Sequence, residues 1–174
     1  AAETYMGLPE VGVGVIPAAG GSKEMLIRCT EAVPRLEETD YFPFVRQAWE
    51  TIGLAKVSTN AHEAAQWKYL RSSEASIVLN RNCVIGAAKE KVLQRVAQGY
   101  QPRPQRQDIP AIGESGLAYF KMILHQMRVA GQISEHDQKI GTKLAYILCG
   151  GDLTSLHFVS EQYIIDLERE AFLS

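Results

Sequence analysis

Gly7-Leu8-Pro9-Glu10-Val11-Gly12-Val13-Gly14-Val15-Ile16-Pro17-Ala18-Ala19-Gly20-Gly21-Ser22-Lys23-Glu24 is the stretch from which the fold of this chain is read. Glu10 directly follows Pro9, and Val11, Val13 and Val15 then alternate with glycine. On an extended backbone, period two sets the three valines on one face and glycine on the other. A glycine face admits close approach of another backbone or of a ligand, or simply a tight packing contact. Residues 4–16 are therefore expected as short extended pieces. Pro17 and Gly20-Gly21 follow, and a helix is predicted over about 21–33, with Ser22 as its cap. Met25, Leu26 and Cys29 give that helix an apolar side, and Pro34 ends it.

Helical spacing dominates the rest. Phe44, Val45, Ala48, Trp49 and Ile52 predict a helix over about 42–53. Asn60 or Thr59 caps a short helix over 61–70, and Ile77-Val78-Leu79 reads as a short buried strand. Ile85, Ala88, Val92 and Val96 form a stripe over about 81–98. Pro102, Pro104 and Pro110 make 99–112 linker-like. Leu117, Phe120, Leu124 and Met127 mark a helix over about 113–130. Ser134, with Asp137 three residues on, opens the next as an Asp variant of the capping box, and Gly150-Gly151 stop it. Ile164, Leu167 and Ala171 mark a last helix over 160–172. The fold class expected is mainly α with a few short strands.

Composition narrows the function classes. The hydrophobic fraction of 46% with 22% charged residues is that of an ordinary globular protein. A net charge of −2 gives no global field toward nucleic acid or an anionic membrane, so nucleic acid is not expected as a partner. No apolar run approaches the ~18 residues of a membrane span, and a basic-then-apolar leader pattern is absent. Cys29, Cys83 and Cys149 are odd in number and far apart. Reduced thiols in a cytoplasmic protein are expected, and no metal site.

The motif Gly-Leu-Pro-Glu-Val at 7–11, followed by Ile-Pro-Ala-Ala-Gly-Gly-Ser-Lys at 16–23, resembles the Pro-Glu segment of the crotonase (enoyl-CoA hydratase/isomerase) superfamily. Gly131-Gln-Ile-Ser-Glu-His-Asp at 131–137 and Leu144-Ala-Tyr-Ile-Leu-Cys-Gly-Gly-Asp at 144–152 resemble a subgroup. Its members are multifunctional fatty-acid oxidation proteins with a 3-hydroxyacyl-CoA dehydrogenase part first and an enoyl-CoA hydratase part last. The resemblance implies the C-terminal helical half of the α/β crotonase (ClpP-like) fold. Residues 1–174 would be the C-terminal part of the hydratase-like domain, with a strand/helix segment at 1–80 carrying the Pro-Glu motif and a helical region at 81–174.

The resemblance also implies a chemistry. Water adds across the double bond of a 2-enoyl-CoA while two backbone N–H groups stabilise charge on the thioester oxygen. Two glutamates supply acid and base. By match Glu10 is the second of these, passing a proton to the α-carbon, although a lone glutamate beside a loop also serves as a plain cap or ion-pair partner. Pro17, Ala18, Gly20 and Gly21 would line the acyl site, with Ala18 where the family usually has glycine. The family's first glutamate and its oxyanion amides lie upstream of this segment, and only six residues precede Gly7. The chain is thus expected to be the later part of a larger enzyme and to be inactive alone. Its partners would be an acyl-CoA thioester, the upstream part of the same polypeptide and further copies of itself. It would hold no cofactor, NAD belonging to the upstream dehydrogenase part. The alternative is a non-catalytic helical assembly module.

Other candidates are weaker. Glu135-His136-Asp137 is explained by helix capping, and Gly20-Gly21 lacks the spacing of a P-loop or dinucleotide fingerprint. Arg103 and Arg106 are read as a solvated loop or as contacts to CoA phosphates. Trp49 and Trp67 are read as core.

Overall fold

Seven α-helices carry the chain in the computed structural model, which describes residues 3–36, 38–71 and 76–174. They are α1 (Gly21–Thr30), α2 (Phe42–Gly53), α3 (Ala61–Gln66), α4 (Val84–Ala97), α5 (Glu114–Val129), α6 (Glu135–Cys149) and α7 (Glu161–Leu173). Two three-residue strands, β1 (Ile109–Ala111) and β2 (His157–Val159), pair antiparallel with Pro110 opposite Phe158. The chain is mainly helical, as the periodicity predicts. No described helix is long and apolar enough to cross a membrane.

The contacts divide the chain into two compact units that interleave in sequence. One comprises Gly7–Val57 with Arg106–Ser174, and the other joins the described residues up to Met6 with Ser58–Gln105. In the first unit, α2 packs on α1 and α6, α5 packs on α6, and α7 packs on α6 and α1. Val45, Ile52, Leu144, Ile147, Leu148 and Ile164 are wholly buried there. Each such side chain contributes about 1.5–3 kcal/mol of transfer free energy. Trp49 is core, as expected: its indole stacks on Phe120 with centroids 4.8 Å apart, and its N–H donates to the Gly141 carbonyl at 3.1 Å. In the second unit, Asn60 Oδ1 accepts from the Glu63 amide at 2.9 Å to cap α3, while the Glu63 carboxylate accepts from the Thr59 amide at 2.7 Å. Of the two residues named as caps, Asn60 is the one that caps. Helix α4 buries none of its residues, and Ile85, Val92 and Val96 are 84%, 61% and 67% exposed.

Four local expectations are corrected. Residues 9–13 are not extended. Pro9 starts a 3-10 turn over Pro9–Val13, closed by Gly14, because its fixed φ suits the first turn of a helix. Only a single antiparallel bridge, Gly7 with Val57, forms in that region. Residues 77–79 are not a buried strand: Ile77 is 40% and Leu79 87% exposed. The linker-like 99–112 contains β1, whose Ile109 and Ala111 are buried. Ser22 is not the cap of α1, for a reason that shapes the site. The capping box of α6 is as expected, with Ser134 Oγ accepting from the Asp137 amide and Asp137 from the Ser134 amide.

Candidate functional site

The turn and loop from Pro9 to Gly21 place all five candidate site residues within one unit, on two separate features. Glu10 stands on the 3-10 turn, which lies against α2 and α6. Its carboxylate Oε2 is buried and has no hydrogen-bond partner among the described residues. A buried carboxylate oxygen without a donor is costly and uncommon, and such groups concentrate where a ligand or a reaction supplies the partner. The turn is tied down at its far end. His136 Nε2 sits 2.7 Å from the Gly14 carbonyl oxygen, and since a carbonyl only accepts, that nitrogen carries the proton. Capping explains Ser134 and Asp137, as read from sequence. The reach of His136 to the Glu10 turn left no signal in its own neighbours.

The second feature is the loop from Pro17 to Gly21. Pro17 is fully buried, and a Cβ on Gly21 would lie 3.2 Å from Pro17 and 3.1 Å from Leu8, so this glycine seats the start of α1 closely. Ala18 is not among the residues with positive φ, so alanine fits where the resembling family has glycine. Ala19 and Gly20 are both left-handed, with φ of 55° and 85°. Glycine takes that region freely, whereas alanine there is strained and persists only where its surroundings hold it.

What holds it is Glu168 of α7. The Gly20 amide donates to Glu168 Oε2 at 2.7 Å and the Ser22 amide donates to Oε1 at 2.8 Å. The carboxylate is 4% exposed and occupies the N-terminus of α1, where free amides and the helix dipole favour an anion. The cap of α1 therefore comes from a residue 146 positions later, and the Ser22 hydroxyl is buried without a partner. Lys23 pairs with Glu161, the first residue of α7, at 3.0 Å, a second tie between the same helices.

Around Ala18, Ala19 and Gly20 lies a cavity of about 510 Å³ whose other wall is α7, with Ile165, Arg169 and Phe172. It thus gathers Ala18 and Gly20; Pro17, Gly21 and Glu10 do not line it. Arg106 is engaged elsewhere. Its Nε donates to Asp108 Oδ1 at 2.7 Å, and Arg35 pairs with the same carboxylate at 3.2 Å. The Arg106 hydrogen bond, with Arg35 beside it, holds the Asp108 carboxyl down at about 2. Among the described residues no group of three metal-ligating side chains occurs, and no disulfide links Cys29, Cys83 or Cys149. Burial pushes the Cys149 thiol up to about 12, so it stays protonated.

Along its whole length the chain is 38% identical, over 174 residues, to a Bacillus subtilis (strain 168) protein described as a probable 3-hydroxyacyl-CoA dehydrogenase. The chain is similar to a 3-hydroxyacyl-CoA dehydrogenase. It spans about a fifth of that relative, 21% of its length. No family profile matches the chain, and no solved structure matches it. The similarity bears on the dehydrogenase part of the sequence resemblance. The crotonase part is not in the relative's description.

Proposed function

We propose that the chain is the C-terminal part of a fatty-acid β-oxidation enzyme in which a 3-hydroxyacyl-CoA dehydrogenase part is joined to an enoyl-CoA hydratase-like domain, and that Glu10 serves hydration. The observation that carries this is the buried Glu10 Oε2 without a donor. It sits on a turn fixed by His136, in a motif resembling the Pro-Glu segment of the crotonases. In hydration the hydroxyl of water bonds to the β-carbon of a 2-enoyl-CoA, and a proton reaches the α-carbon. A glutamic acid held at a fixed position suits the second transfer. In the same reading Pro17, Ala18, Gly20 and Gly21, on the loop that follows the turn, serve the acyl site, as the resemblance implies. The chain lacks a dinucleotide fingerprint, so NAD is assigned to the dehydrogenase part of the parent protein and no cofactor to these residues.

A chimera tests this. The matching fifth of the Bacillus subtilis relative is replaced by this chain, and hydration of crotonyl-CoA is followed by loss of the conjugated-thioester absorbance. The chimera is expected to turn over, and Glu10→Gln within it to lose about a hundredfold or more in rate. Equal hydration by the Glu10→Gln chimera would refute the role given to Glu10. The isolated chain is expected to show no hydration.

A second reading, assembly, is favoured by α4. Its apolar stripe at Ile85, Val92 and Val96 is open to solvent. Contiguous apolar patches of that kind usually mark an interface. Self-association of the chain is the expected result in sedimentation across a dilution series, and a strict monomer at high concentration would remove this reading.

A further inference from the structure

We infer that His136 is a positioning residue for Glu10: by donating to the Gly14 carbonyl, the start of α6 sets the turn that carries the Glu10 carboxylate. The inference rests on the hydration reading above and deepens it by naming what holds the acid in place. The buried Glu10 Oε2 has no donor among the described residues, so at that atom nothing in the chain fixes the carboxylate. Its position follows from the backbone beneath it.

That backbone is a closed ring. The Gly14 amide donates to the Val11 carbonyl at 3.1 Å, and the Val15 amide donates to the carbonyl of Glu10 itself at 3.1 Å. Burial does not hold the ring: the Pro9–Val13 turn buries none of its residues, and Val13 is 81% exposed. A turn with so little apolar burial opens readily unless another element bears on it. His136 bears on it from 122 positions further along the chain, with Nε2 at 2.7 Å from the Gly14 oxygen. The contact is also steric. Gly14 is left-handed, with φ 83°, and a Cβ there would lie 3.1 Å from Nε2 and 3.2 Å from Cδ2 of the imidazole. The edge of the imidazole thus rests on the bare Cα that the left-handed corner requires.

His136 is itself firmly based. It is the second residue of α6, inside the capping box of Ser134 and Asp137, so the backbone under the imidazole is fixed at both sides. The side chain is exposed. A single exposed hydrogen bond adds little to global stability. Its consequence is local, in how tightly the turn, and Glu10 with it, is held.

Three substitutions separate the donor from the ring: His136→Phe keeps the ring and loses the donor, His136→Gln keeps a donor at a similar reach, and His136→Ala loses both. In the 174-residue chain, amide exchange and 13C relaxation at the Glu10 γ-carbon are read by NMR. His136→Phe and His136→Ala should quicken exchange at Gly14 and Val15 by about fivefold and lower the order of the Glu10 side chain. His136→Gln should stay near the parent. The amides of the buried Leu144 and Leu148 in α6 serve as the control and should not change. In the chimera with the Bacillus subtilis relative, His136→Phe should lower kcat for crotonyl-CoA hydration by about tenfold and leave KM unchanged, with His136→Gln restoring most of the rate. Exchange and Glu10 order that ignore all three substitutions would overturn the tie. A loosened turn beside an unchanged kcat, or a rise in KM alone, would overturn the positioning role. Failure of His136→Gln to rescue would overturn the donor. A chimera that hydrates nothing, while the order of Glu10 still answers to His136, would support the positioning of Glu10 and overturn only the hydratase role.

Discussion

Glu168→Leu is expected to lower the stability of the chain by roughly 3–5 kcal/mol, seen as a shifted midpoint in urea unfolding followed by circular dichroism. The Gly20 and Ser22 amides both donate to this carboxylate, at 2.7 and 2.8 Å, in a place where the glutamate is 4% exposed. Leucine fills a similar volume but accepts nothing. Two buried N–H groups would lose their partner, at about 1–3 kcal/mol each. The strained Ala19–Gly20 segment would also lose its tether. Removing a buried charge relieves some desolvation, yet the amides it served remain, so the relief does not offset the loss. Glu168→Gln should fall between, since one amide keeps its oxygen while the other meets an NH₂ group. An unchanged midpoint for Glu168→Leu would show that the clamp does not hold α1 to α7.

Glu168 also marks the limit of what sequence periodicity discloses. Helices α2, α5, α6 and α7 were legible because their apolar residues repeat at helical spacing and their ends carry local signals, such as Ser134 with Asp137. The same local logic points to Ser22 as the cap of α1. The true acceptor lies in another helix, and nothing near Ser22 in sequence announces it. The valine/glycine alternation at 11–15 is ambiguous because glycine carries no side chain to oppose a 3-10 turn, which Pro9 starts. The strands β1 and β2 escaped because each has three residues, and β1 contains Pro110, which argues against a strand unless it lies at an edge. At the site, Glu10 and the Pro17–Gly21 loop stood out through a motif. The reach of His136 to that turn did not, since on a linear chain His136 belongs to an ordinary helix start.

Gly113→Ala is expected to cost roughly 3 kcal/mol or more, the other large effect in this fold. Gly113 has φ 72° and ψ −160°, a region that glycine alone occupies without strain. Space compounds the problem. A Cβ there would stand 2.7 Å from the Ser155 carbonyl oxygen, 2.8 Å from the Ser155 nitrogen and 2.9 Å from the Leu153 oxygen. All three are backbone atoms, so no side chain can turn aside. The Gly113 amide donates to the Cys149 carbonyl at 2.9 Å, which joins the start of α5 to the end of α6. Moving Gly113 breaks that bond; moving 153–155 instead drags β2 from β1, which ends at Ala111, two residues before the glycine. The thermal midpoint should fall by several degrees, about 2–4 °C per kcal/mol for a chain of this size. Amide exchange at Ile109 and Val159 should quicken as their pairing loosens. Gly86→Ala is the control: it lies within α4, nothing stands within 4 Å of its added Cβ, and alanine favours the helix by up to about 1 kcal/mol. If both alanine variants unfold at the temperature of the parent chain, the close approach of residues 153–155 to Gly113 does not support the junction of β1 with α5.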